Sequence, residues 1–140
     1  MLHFKPLELE DKKIFDKYIK PYNFKTSEYS FTNQYLWRKG SNVTYAIVND
    51  ILIIKKVDYD GTTQFTQPIG YKKENLKELL DELIKYKTEH NMDYLFKDAE
   101  EEFVKDFKEI SGQGIIYNYR DDKILVGNEK LLNNNNIKFN

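Results

Sequence analysis

Apolar residues recur at helical spacing from Glu10 to Ile19, where Ile14, Phe15, Tyr18 and Ile19 mark a helix. Pro21 ends that run, because proline cannot donate to the preceding turn. A second helical period runs from Ser27 to Lys39, with Thr26 or Ser27 as its N-cap and Gly40 at its C-terminal end. The period then shortens to two. Val43, Tyr45 and Ile47 alternate along Val43 to Val48, and Asn49-Asp50 turns the chain back into Ile51 to Val57. A second turn, Asp58 to Gly61, leads to a third strand, Thr62 to Thr66, which Pro68 and Gly70 close. Leu76, Leu79, Leu80, Leu83 and Ile84 then form the apolar stripe of a helix from Glu74 to Lys87. Asp93 to Lys97 reads as a short strand. Asp98 is placed to cap the next helix, with Glu101 as capping-box partner. Phe103, Phe107 and Ile110 give that helix its buried face, and Gly112 ends it. Ile115 to Tyr119 is a further strand, and Lys123 to Val126 has strand character.

The predicted order is helix, helix, three antiparallel strands, helix, strand, helix, strand. Such an order implies an α/β or α+β domain with a mixed, mostly antiparallel sheet and helices on both faces. No linker or internal repeat divides the 140 residues, so one domain is expected. Residues 1–122 form the expected unit. Residues 123–140 are expected as a divergent, partly disordered tail that contains an Asn tract from Asn133 to Asn136.

Charge narrows the partners. The 22 basic and 23 acidic residues leave a net charge of -1, which gives no general attraction to nucleic acid or anionic lipid. The absence of cysteine excludes disulfides, thiolate nucleophiles and Cys-ligated metals. His3 and His90 stand far apart in sequence, so no metal site and no cofactor are expected. No apolar run approaches the roughly 20 residues of a membrane span. The start, MLHFKPLELED, lacks a signal-peptide segment, and a cytoplasmic location is expected.

Candidate chemistry concentrates in the stretch TSEYSFTNQYLWRKG, Thr26 to Gly40. On a helical wheel Glu28, Phe31, Tyr35 and Arg38 share one face, whereas Ser30, Asn33 and Trp37 share the opposite side. Apolar groups all round predict a helix buried on most sides, whose polar members need partners. Two readings stand side by side. Either the aromatics are core and Arg38 caps a carbonyl, or Asn33, Trp37 and Arg38 belong to a pocket. The acidic run Glu100 to Glu102 suits the positive end of a helix dipole. Gly112-Gln113-Gly114 follows a helix instead of a strand, the wrong order for a dinucleotide loop. Asp58 and Asp60 match half a calcium loop, without the closing Glu. No residue qualifies as a general base, so the catalytic residues are unknown.

Ser27, Glu28, Phe31, Asn33, Tyr35, Trp37 and Arg38, with Gln67 to Gly70 and Asp93 to Phe103, resemble the phosphatidylglycerol lysyltransferase C-terminal-like family. The resemblance runs to about Asp121 and weakens from Lys123 onward. It implies a GNAT-like acyl-N-acyltransferase fold, used in the family as two units in tandem. It also implies aminoacyl or acyl transfer, with aminoacyl-tRNA as the donor and a lipid as acceptor in the membrane members. Carried onto this sequence, Glu28, Asn33, Trp37 and Arg38 become substrate-binding candidates. The chain spans one such unit, so a second GNAT-like unit or a homodimer is the expected partner. The alternative is a non-catalytic GNAT-like module that binds or self-associates through the face its missing partner would cover.

Overall fold

The computed structural model describes residues 2–22, 24, 29–97, 99–111, 114–119 and 123–128. Seven strands form one sheet in the order β1-β2-β3-β4-β5-β7-β6. They are β1 (Lys5–Pro6), β2 (Thr44–Val48), β3 (Ile51–Val57), β4 (Thr63–Phe65), β5 (Phe96–Lys97), β6 (Gly114–Tyr119) and β7 (Lys123–Asn128). Neighbours are antiparallel except β4 and β5, which run parallel through the pair Phe65 and Phe96. The helices are α1 (Lys12–Ile19), α2 (Phe31–Leu36), α3 (Lys73–Glu89) and α4 (Glu101–Ser111). This is the mixed, mostly antiparallel α/β arrangement that the order of elements implied. Strand β7, within the segment expected as a divergent tail, lies between β5 and β6. Residues 129–140 lie outside the described residues, as do the proposed caps Thr26, Ser27 and Asp98 and the terminator Gly112.

Alternation along β3 sorts the core into two layers. Ile51 and Ile53 face α3 and α4, where they meet Phe65, Leu76, Leu83, Phe96 and Phe103. Leu52 and Ile54 face α1 and α2, where they meet Phe15, Phe31, Tyr45 and Ile69. Helices therefore cover both faces. The β2–β3 hairpin turns on Asn49 (φ 52°) and Asp50 (φ 61°), the left-handed pair that a two-residue hairpin requires. Tyr18 locks α1 to this turn, because its hydroxyl donates to Asp50 Oδ1 at 2.6 Å. Gly70, at φ 92°, lies under the Tyr18 ring. A Cβ there would sit 3.2 Å from Tyr18 Cδ1.

Three expectations need correction. Helix α2 is six residues long, and its N-cap is Ser30, whose Oγ accepts from the Asn33 N–H at 3.1 Å. The expected Ser27–Lys39 helix is shorter because Trp37 to Asn42 runs on as turn. Nor is that helix buried on most sides. Leu36 is 70% exposed and Trp37 61%. In α3, Ile84 is exposed and the buried line passes from Leu80 and Leu83 to Lys87. The aliphatic stem of a lysine can fill such a position. Burial pushes the Lys87 ammonium pKa down, and Asp93 partly opposes that shift.

Candidate functional site

Short as it is, α2 separates its two sides cleanly. Phe31, Tyr35 and Arg38 turn inward or along the protein. Phe31 stacks on Tyr35 at 5.3 Å between centroids, and the Arg38 guanidinium covers the Tyr35 ring at 3.7 Å. Arg38 Nη1 also donates to the Tyr35 carbonyl at 2.7 Å. Arg38 is thus folded back on its own helix, away from the cleft. Asn33 and Trp37, one turn apart, share the other side. They line a cleft of about 340 Å³, with Gln34, Ser41, Lys56, Asp58 and Tyr59 completing the wall. Two of the four sequence candidates therefore meet in one cleft. Glu28 lies outside the described residues.

The floor of this cleft was missed by sequence reasoning. Lys56 follows the same alternation as Leu52 and Ile54, so it sits on the α1/α2 face of β3. Its cross-strand partner is Gln64 of β4. Lys97 of β5 lies on the same face, opposite in parity to Phe96. Gln34, Lys56, Gln64 and Lys97 are all buried. Lys97 Nζ is ion-paired with Asp58 Oδ2 of the β3–β4 turn. Gln64 is fully buried, and neither amide atom has a hydrogen-bond partner among the described residues. Buried amides are nearly always paired, so Gln64, which lies beside Lys56 without lining the cleft, is an exception on this face of the sheet. One signal was available in the sequence: a lysine at an inward position of ILIIKKV.

The rim contrasts with the floor. Trp37 is 61% and Tyr59 84% exposed, so two aromatic faces flank an opening whose base carries buried charge. Among the described residues no cluster of three or more acidic or histidine side chains could hold a metal. No helix among them is long and apolar enough to cross a membrane.

Comparison with known proteins agrees with this fold. A solved structure titled as a conserved protein of unknown function from Bacteroides thetaiotaomicron VPI-5482 superposes with a TM-score of 0.76 at 20% identity. The match covers 86% of this chain and 40% of that one, so the chain spans less than half the length of that relative. No curated protein matches significantly. The family model described as phosphatidylglycerol lysyltransferase, C-terminal, matches residues 19–126, a span that holds α2, the cleft and the sheet from β2 through most of β7, and the chain belongs to that family.

Proposed function

We propose that the chain is one unit of an aminoacyl or acyl transferase, and that the α2 cleft receives part of the donor. The observation that supports this is the pairing, in a member of this family, of two exposed aromatic rings with a buried lysine. Trp37 and Tyr59 offer flat faces on which a base at the end of a charged tRNA stacks. Lys56 brings positive charge to the floor, where a phosphate is attracted. The amides of Asn33 and Gln34 supply donors and acceptors to a base edge. An aminoacyl ester is already activated, so holding donor and acceptor together supplies much of the rate. A lipid such as phosphatidylglycerol is the acceptor that the family description suggests.

On this reading, transfer also uses a second GNAT-like unit or a second copy of this one. Leu36, Trp37 and Tyr59 expose apolar surface beside the cleft, as a face that meets a partner does. The same surface supports the second reading, a module that associates without catalysis.

The test uses Trp37, the single tryptophan of the chain. Charged tRNA is titrated against Trp37 fluorescence. In parallel, label from a charged tRNA is followed into phosphatidylglycerol vesicles across a protein concentration series. Quenching, with label transfer rising more steeply than protein concentration, is the expected result. Unchanged fluorescence and no labelled lipid at any concentration sink the transferase reading. If self-association is then seen by sedimentation, the binding module takes its place.

A further inference from the structure

A second cleft lies at the other end of the sheet, outside the carboxyl ends of β4 and β5. In open α/β sheets ligands favour the crevice outside the carboxyl ends of the strands. Here β4 runs on to Gln67 and then to α3, and β5 runs on to the start of α4, with both helices on the same face of the sheet. The cleft holds about 280 Å³, and its walls include Tyr22, Phe24, Gln67, Tyr71, Glu102 and Asp106.

Its chemistry differs from that of the α2 cleft. Four aromatic rings line it, those of Tyr22, Phe24, Tyr71 and Phe103. So do three carboxylates, Glu100, Glu102 and Asp106, against one ammonium, Lys73. Lys73 is already engaged, 2.6 Å from Glu109 and 4.0 Å from Asp106. Asp106 also accepts the Tyr71 hydroxyl at 2.7 Å. Burial, with Asp106 next, pushes the Tyr71 pKa up, so its ring stays neutral. The Glu102 carboxylate has no hydrogen bond or ion pair to another described residue. Gln67 adds an independent sign of a ligand. It is 6% exposed, and its Oε1 accepts from the Glu100 N–H at 2.7 Å. Its backbone N–H donates to the Tyr29 hydroxyl at 3.2 Å. Gln67 lines the cleft, and its Nε2 has no acceptor among the described residues.

We infer that this cleft binds a small organic cation that also carries a hydrogen-bond-accepting oxygen, such as an amino alcohol or an amino-acid amide. The ammonium lies among the rings of Tyr22, Phe24 and Tyr71, with Glu102 as counter-charge. The oxygen accepts from Gln67 Nε2. Anions are excluded, because they would meet three carboxylates. The site stands apart from the α2 cleft and does not depend on the transferase reading.

Calorimetric titration of the whole chain with choline, ethanolamine and glycinamide tests it, with tetramethylammonium and acetate as comparators. The oxygen-bearing cations should bind at about millimolar concentration. Tetramethylammonium, which lacks the oxygen, should bind about five-fold more weakly, and acetate not at all. Glu102→Gln, at an exposed position, should leave the fold intact and weaken choline about five-fold. Amide resonances of Gln67 Nε2 and Glu100 should shift on binding. No binding of any cation up to about 50 mM overturns the inference. So does acetate binding as well as choline, or choline binding that Glu102→Gln leaves unchanged.

Discussion

The two faces of the central sheet are built from the same three strands and to different ends. Toward α3 and α4, the inward positions are Ile51, Ile53, Phe65 and Phe96, and Phe96 meets Phe103 edge-on at 4.9 Å. Toward α1 and α2, the same strands begin apolar, at Leu52 and Ile54, and then turn polar at Lys56, Gln64 and Lys97. One face is closed by apolar packing. The other gives up apolar burial over its second half and opens on a cleft. Buried charge without a packing role is costly, so the polar half is where selection for something other than stability is visible.

That contrast can be broken experimentally. The largest effect is expected on the apolar face: Phe65→Ala or Phe96→Ala should cost about 3–5 kcal/mol in urea unfolding, from lost burial and an unfilled cavity. On the polar face, Asp58→Ala should cost about 3 kcal/mol, because it removes the carboxylate ion-paired with the buried Lys97 ammonium. Adding Lys97→Met to that variant should recover most of the loss. A double variant no more stable than Asp58→Ala would mean that the ion pair is not the source of the cost. Gln64→Leu should raise stability by about 1 kcal/mol, by removing an unpartnered buried amide. If it destabilises instead, Gln64 is satisfied and the polar face is ordinary core.

A smaller test concerns pH. Burial, followed by the bond to Asp50, pushes the Tyr18 pKa from 10.0 up to about 12. The folded state therefore holds this proton more tightly than the unfolded one. The stabilisation is fully present below the unfolded value and is lost as pH rises through the folded value. Stability of the wild type should fall between about pH 10 and 12, and Tyr18→Phe should flatten that part of the profile. Smallest of all, Trp37→Ala should change stability by no more than about 0.5 kcal/mol, because its ring packs little. The same variant should lose label transfer from charged tRNA to phosphatidylglycerol vesicles.

Much of the architecture was legible because it follows from local periodicity. The hairpin at Asn49-Asp50, the α3 stripe and the Phe103 and Phe107 face are short-range patterns with one physical solution each. The helical wheel likewise separates Asn33 and Trp37 from Arg38, as the structure does. Misreadings arose where the pattern was ambiguous. Aromatic residues all round Ser27 to Lys39 suggested a long buried helix, although Leu36 and Trp37 face outward.

By itself, then, the sequence determined the kinds and order of the elements and the family resemblance, since both are carried by neighbours along the chain. Tertiary structure alone decided which polar residues are buried together. Lys56, Gln64 and Lys97 come from three strands, and Gln34 and Asp58 from a helix and a turn. Only strand register brings Lys56, Gln64 and Lys97 to one face of the sheet. The cage of Tyr22, Tyr71 and Glu102 has the same origin, because nothing in their spacing along the chain relates them. Contacts between residues distant in sequence depend on how layers pack, and that information is spread over the whole core.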